Sequence, residues 1–349
     1  MTDRRYQVAF IGCGGRAREH APAFVADSRC RVSALVDLNA EAAENLKRDF
    51  SFDADVYTDY RKMLEEQKPD IAVITLWTPL HLPVFRDCVE AGVRAVLSEK
   101  PMAPTWGDSL EMASIAERTG CQLTFCHQRR FASGNRQVRE WIRQEVFGDI
   151  LRMDLYSWPN LLDCGTHTID QALSFLSEAE AEWVLGAVDA SDPLEWFNVK
   201  AETMAFGTIA LRSGVRATLS VGVPGADMGA GVRLFGTKGF IEVGWDGEIG
   251  KYVLYDEPAR KLEVPEPKPG EQMVGVVRNA VDCLVTGEEP ELSYKKALRA
   301  TEIIFAFYES VRQRGRISLP LYDLYGVTDN PFVSMLESGE LGRRQSNAE

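Results

Sequence analysis

The sequence predicts an α/β domain on a doubly wound parallel sheet, followed by an α+β domain with a large, mostly antiparallel open sheet. Three observations carry that prediction. Short apolar runs alternate with helical patterns through the first third of the chain, a glycine-rich turn joins the first run to the first helix, and after about residue 127 the rhythm changes to a strand meander.

The apolar runs lie at 8–11, 32–36, 71–75, 95–98 and 122–126, each short enough for a buried strand. Helical periodicity fills 16–26, 40–50, 82–91 and 105–119 between them. Strand and helix repeating in this way require crossovers, and hence a parallel sheet covered by helices on both faces. Beyond them, a helix at 134–144 and a strand at 150–157 precede a helix at 166–176. Strands then follow at 182–188, 203–211, 216–223, 232–235 and 240–243. Ser213-Gly214 and Thr237-Lys238-Gly239 separate consecutive runs as hairpin turns. Such a sheet has one helix-covered face. Its other face needs a cover, and a homodimer or homotetramer through the C-terminal sheet supplies one. Helices at 271–286 and 293–313 close the chain, and 258–270 reads as a surface loop. The domains are drawn at 1–126 and 127–321, with a C-terminal tail at 322–349 whose last residues, 337–349, are polar.

A chain of 349 residues suits two cores better than one. Its 45% hydrophobic and 26% charged residues describe a globular protein. The formal net charge of −13 excludes a nucleic-acid partner, because phosphate binding needs clustered cations. Arg129-Arg130 and Arg343-Arg344 are isolated pairs. No apolar run is long enough to span a bilayer. Arg4-Arg5 precedes an apolar run better read as the first strand than as an export signal. Seven cysteines without C-x-x-C spacing fit reduced thiols and a cytoplasmic location.

Gly12-x-Gly14-x-x-Ala17 follows the first strand and opens the first helix. Gly12 permits the tight turn, Gly14 lets backbone approach a pyrophosphate, and small Ala17 lets helix pack on strand. Gly15 and Arg16 complete the turn, and the helix N-terminus offers free N–H groups to phosphate. Asp37 ends the second strand about 20 residues after Ala17, where a carboxylate accepts the adenosine ribose hydroxyls. This is the dinucleotide site of a Rossmann domain. Asp37 repels a 2′-phosphate and Leu38 offers no compensating cation, so NAD is preferred over NADP, with Arg16 the one nearby exception.

Lys100 lies at the C-terminal end of the parallel strand at 95–98, where such folds place ligands, and it could hydrogen-bond a substrate oxygen on which charge develops. The alternative is a surface lysine pairing with Glu99. His167 lies four residues after Asp163 and three before Asp170, so helical spacing groups them on one face. A histidine beside a carboxylate removes a hydroxyl proton well near neutral pH. Against that stands a helix start capped by Asp163 or Thr166, with His167 structural. Zinc on Asp163, Cys164 and His167 is the competing chemistry. No second cluster supplies further ligands, so a metal is not expected.

The chain resembles the Gfo/Idh/MocA oxidoreductases, the glucose–fructose oxidoreductase and inositol dehydrogenase family. Glu99-Lys100-Pro101 after the strand at 95–98 and Asp163-x-Gly165-x-His167-x-x-Asp170 are similar to its two signature motifs. Thr78-Pro79-x-His81, Gln128-Arg129-Arg130-Phe131 and Phe147-Gly148-Asp149-Ile150 are weaker echoes. The resemblance covers about residues 5–320. It implies a triad in which His167 is the general base, Asp163 its partner and Lys100 the oxygen-binding group. Asp170 contacts substrate or braces the site. Thr75, Thr78, Pro79, His81 and Glu99 then line the nicotinamide region, with His81 open to the alternative of a helix-start residue. His127 and Arg130 follow the last Rossmann strand and contribute to the substrate pocket or to salt bridges. Residues 156–162 are shorter than the family's usual loop, leaving a more open pocket that Trp158, Trp196 or a neighbouring subunit fills.

The implied function is NAD-dependent oxidation of a secondary hydroxyl on a sugar, polyol or inositol-like compound, or reduction of its keto form. An NAD-retaining glycoside hydrolase or lyase is the alternative, followed by a non-catalytic dinucleotide-binding regulator.

Overall fold

The computed structural model describes residues 5–196, 198–222 and 229–341. Arg4, the last residue of the strand expected at 216–223, Arg343-Arg344 and the end of the tail lie outside them. The chain falls into two compact units with interleaved bounds. The first comprises Met1–Ala103, Asp108–Phe131 and Lys268–Leu298, and the second Pro104–Gly107, Ala132–Pro267 and Arg299–Glu349.

The first unit alternates β1 (Tyr6–Ile11), α1 (Gly15–Ala26), β2 (Cys30–Val36), α2 (Ala40–Asp49), β3 (Asp55–Tyr57), α3 (Tyr60–Gln67), β4 (Ile71–Ile74), α4 (His81–Glu90), β5 (Ala95–Ser98), α5 (Trp106–Thr119) and β6 (Gln122–Phe125). Its six strands pair in parallel in the order β3-β2-β1-β4-β5-β6. The order reverses between β1 and β4, which opens a crevice at the carboxyl ends of those strands. β1 is buried from Val8 onward and β4 throughout, so both read as continuous apolar runs. β3 and α3 escaped the sequence reading. A three-residue edge strand and a helix with two buried residues carry too little periodicity to register.

The sequence reading gave the helix at 271–286 to the second domain. The structure packs it, as α8 (Glu271–Thr286), in the first unit. Val276, Val277 and Val281 join the core formed by Val8, Phe10, Phe24 and Val73. Gly275 is needed there, since a Cβ would come 2.7 Å from the Phe131 ring.

The second unit contains α6 (Ser133–Arg143), β7 (Ile150–Ser157), α7 (Thr166–Phe175), β8 (Ala181–Asp189), β9 (Leu194–Trp196), β10 (Val199–Ala201), β11 (Met204–Leu211), β12 (Arg216–Val221), β13 (Gly231–Gly236), β14 (Gly239–Gly244) and β15 (Ile249–Leu254). Most of α9 (Tyr294–Gln313) follows, then β16 (Ile317–Ser318), α10 (Leu321–Tyr325) and α11 (Pro331–Ser338). Eight strands form one sheet in the order β15-β14-β13-β7-β12-β11-β8-β16. Only β7 and β12 run parallel, and the other pairings are antiparallel. Phe307 of α9 lies on Gly186 and Gly207, where a Cβ would come within 2.5 Å of its ring. That face of β8 and β11 is therefore the covered one. The expected tail at 322–349 is helical in α10 and α11, with Phe332 fully buried against Tyr308.

Candidate active site

In the first unit the turn after β1 is shaped by Gly12. Its φ of +96° and a Cβ that would sit 2.7 Å from Thr75 O exclude a side chain. Gly12 N–H donates to Val36 O at 2.8 Å, and Thr75 Oγ1 donates to Gly12 O at 2.7 Å. Gly14 caps α1 without a side-chain bond, and Cβ atoms on Gly14 and Gly15 would meet nothing within 4 Å. The open space thus lies in front of uncapped first-turn amides, which suits a phosphate anion. Ala17 is buried against the sheet.

Asp37 follows β2 half-buried. Its Oδ2 accepts from Cys13 N–H at 2.8 Å and its Oδ1 from Asn39 N–H at 2.9 Å, which fixes the carboxylate at the lip of the turn. Leu38 beside it is 92% exposed. Burial, and then the Asp37 charge, push the Cys13 thiol up to about 12, so that sulfur stays protonated. These residues fit a dinucleotide: an open amide cradle for pyrophosphate and an oriented carboxylate for ribose.

Arg16 is engaged elsewhere. It pairs with Glu19 and donates to Glu99 Oε1 at 2.9 Å. The same oxygen lies 2.7 Å from His20 Nε2, and both His20 and Glu99 are buried. Burial pushes the Glu99 carboxyl up, but His20 and Arg16 outweigh it and hold the group well below the ordinary carboxylate range. His20 carried no sequence signal, because its partner is 79 residues away. With Cys126 Sγ, these groups place nitrogen, oxygen and sulfur within 4.8 Å. A guanidinium already occupies the carboxylate, so the cluster is an ion-pair network rather than a cation cage.

Lys100 follows β5 half-buried, one residue beyond Glu99. His81 opens α4 fully buried and turned inward: Nδ1 lies 3.1 Å from Pro101 O, and Nε2 3.1 Å from Leu76 O. Burial pushes its pKa down, so the ring is neutral and braces the segment after Lys100. Thr78 is buried and Pro79 exposed in a short 3-10 turn. His127 and Arg130 are both buried, with Arg130 reaching Glu291 at 3.4 Å inside the first unit.

In the second unit Asn160 starts a π turn, Leu161–Gly165, that leads directly into α7. Asn160 Oδ1 accepts from Asp163 N–H at 2.8 Å, and Asn160 O accepts from Gly165 N–H at 3.0 Å. Asn160, not Asp163 or Thr166, is therefore the cap. Asp163 sits within the π turn, while His167 and Asp170 stand on α7, and all three are buried. The His167 ring meets Trp245 edge-on, with centroids 5.2 Å apart and planes at 84°. Trp245 lies in the β14–β15 hairpin and escaped the sequence reading for want of any local motif. Beneath α7, Gln171 Nε2 donates to Asn135 Oδ1 at 2.7 Å. Trp158 is 64% exposed.

The description "Oxidoreductase family, NAD-binding Rossmann fold" matches residues 6–127, and a Gfo/Idh/MocA C-terminal domain matches 135–242. An inositol 2-dehydrogenase/D-chiro-inositol 3-dehydrogenase of Shouchella clausii is 26% identical over 170 residues, covering 48% of this chain and 49% of that protein. The chain thus spans about half the length of that relative. D-apiose dehydrogenase of Paraburkholderia graminis is 22% identical and aligns over 98% of this chain and 96% of its own length. The WlbA dehydrogenase of Bordetella pertussis, solved with NADH and UDP-GlcNAcA, shares the fold at a TM-score of 0.77 and 22% identity, covering 92% of this chain and 99% of that one. The chain belongs to the Gfo/Idh/MocA oxidoreductase family and carries its NAD-binding Rossmann fold.

Proposed function

We propose that the protein is an NAD-dependent dehydrogenase of a secondary hydroxyl on a sugar, polyol or inositol-like compound, or a reductase of the corresponding ketone. The observation that carries this reading is the π turn. It presents Asp163 immediately ahead of the buried helix bearing His167, in a chain whose other unit offers a dinucleotide cradle.

NAD, when bound, supplies the hydride acceptor. His167 takes the hydroxyl proton as the carbon is oxidised, and Asp163 supports the imidazolium that results. Lys100 donates a hydrogen bond to the same oxygen and stabilises the charge that develops there. Trp245 restrains the His167 ring and offers an aromatic wall. Asp37 favours NAD over NADP, and Arg16, held by Glu99, is not free to compensate a 2′-phosphate.

The first unit is proposed to hold the dinucleotide, and the second the substrate and a partner copy. The reading includes a homo-oligomer, a carbohydrate or polyol substrate and a cytoplasmic location, which fits seven cysteines outside any disulfide. Among the described residues no helix is long and apolar enough to cross a membrane.

Nicotinamide absorbance with NAD or NADP, over a panel of inositols, glucosides, pentoses and nucleotide sugars, tests the function. Steady NADH formation, lost in Lys100→Ala and His167→Ala, is expected. Silence across the panel with NAD firmly retained would overturn the dehydrogenase reading in favour of hydrolysis or elimination through transient oxidation.

A further inference from the structure

The π turn under the proposed base rests on a carboxyl group that takes no part in the chemistry above. Glu202, between β10 and β11, is fully buried. Its Oε1 accepts from Leu161 N–H, the first amide of the π turn, at 2.6 Å. Its Oε2 accepts from the Tyr308 hydroxyl of α9 at 2.6 Å, and Tyr308 is itself fully buried against Phe332 of α11. Asn160 holds the same turn from the other side, through Asp163 N–H and Gly165 N–H. The backbone of this turn therefore hangs from two side chains, and one of them is ionisable.

We propose that Glu202 is a positioning residue whose carboxylate fixes the π turn presenting Asp163 and His167, so that its two protonation states hold that turn differently. The inference rests on the proposed roles of Asp163 and His167. As a carboxylate, Glu202 accepts both bonds at once. Once it is protonated, its hydroxyl can donate to Tyr308 Oη while the remaining carbonyl oxygen still accepts from Leu161 N–H, so the turn keeps that bond but loses its charge assistance. Burial is the largest influence on this group and pushes it up to about 7. The Tyr308 hydroxyl, the Leu161 amide and its own backbone amide pull the other way, and no charged side chain is among the causes. The nearest charged neighbour along α9, Glu309, is paired with Arg312. The change in hold thus falls near neutral pH, where His167 also works.

Hydrogen–deuterium exchange of the peptide spanning 158–166, corrected for intrinsic rate and followed from acid to alkaline pH, reads the turn without reference to turnover. In the wild-type protein protection should rise about tenfold as Glu202 ionises, the scale of one charge-assisted hydrogen bond. Glu202→Gln should show low protection that no longer changes with pH. Tyr308→Phe, which keeps the carboxyl but removes a bond favouring its charged form, should move the midpoint to higher pH. The acidic limb of kcat/KM, measured on whichever panel substrate turns over, should shift with Tyr308→Phe in the same direction. The proposal is overturned if Glu202→Gln keeps the wild-type pH dependence, or if it loosens the turn by the same factor at every pH. A midpoint unmoved in Tyr308→Phe overturns it as well, and that variant decides the matter should Glu202→Gln not fold. Absence of turnover on every substrate would sink the dehydrogenase reading, while the exchange data would still decide the role of Glu202.

Discussion

Glu99 keeps a negative charge at a buried position because two partners reach the same oxygen, the His20 ring at 2.7 Å and the Arg16 guanidinium at 2.9 Å. Removing that charge strands them. Glu99→Gln should therefore destabilise the first unit by about 3 kcal/mol, the usual cost of breaking one side of a buried pair. The pH dependence follows in sign. The folded carboxyl titrates below its ordinary value of 4.5, so its contribution is present above that pH and is lost as the pH falls below it. Glu99→Gln should thus be less stable near neutrality yet lose less on acidification, as thermal unfolding across that range would show. An acid limb identical to the wild type would contradict the ion-pair account. Asp37 makes a second prediction at this scale. Asp37→Ala leaves the Cys13 and Asn39 amides without their acceptor and removes the ribose partner. NAD affinity should fall about tenfold or more, with a smaller loss for NADP, as isothermal titration of both would report. Residue types and spacing singled out Gly12, Asp37, Lys100, Asp163 and His167 in the sequence, and their roles belong to the proposed function. His20, Trp245 and Glu202 were illegible, because each acquires its place only through contacts with distant parts of the chain. His81, read either as lining the nicotinamide region or as a helix-start residue, opens α4 with its ring toward backbone carbonyls.

At the scale of elements, legibility followed length and burial. β1, β2, β4, β5 and β6 announce themselves as apolar runs because helices cover both faces of a parallel sheet. β9 and β10, of three residues each, and β15, with a mostly half-exposed pattern, offer no such run. The π turn is a subtler case. The sequence reading starts the helix at 166 and groups Asp163 with His167 by helical spacing, whereas Leu161–Gly165 winds wider than the α-helix that follows. Extra residues of this kind often mark functional positions. Here Asn160 pins the turn through its side chain to Asp163 N–H. Asn160→Ala removes a buried cap, and a cost of about 1 kcal/mol is expected, in the range of helix N-caps. Turnover should suffer more than stability, since Asp163 loses its register while the core stays packed. A kcat unchanged beside a lowered melting temperature would show that the turn's geometry does not matter to the chemistry.

For the whole molecule, the open sheet sets the main expectation. Along β8 and β11 the covered face presents Val184, Gly186, Ala205, Gly207 and Ile209, with Phe307 of α9 lying on the two glycines. The intervening residues point the other way, and there Phe206 is 54% and Leu185 46% exposed. Around them Arg152 lies over Phe235 at 4.2 Å and Arg233 over Tyr156 at 5.2 Å, so guanidinium planes already shield part of the aromatic surface. A broad sheet face that mixes exposed apolar side chains with stacked arginines is suited to bury itself against an identical copy, because a twofold interface needs a self-complementary surface. A single charge placed at the centre of that face would be stranded twice in a symmetric dimer and only solvated in a monomer. Phe206→Arg should therefore lower the solution mass to that of one chain by light scattering, while far-ultraviolet circular dichroism stays unchanged. If the wild-type protein is monomeric at the same concentration, or the variant keeps the wild-type mass, the association does not run through this face.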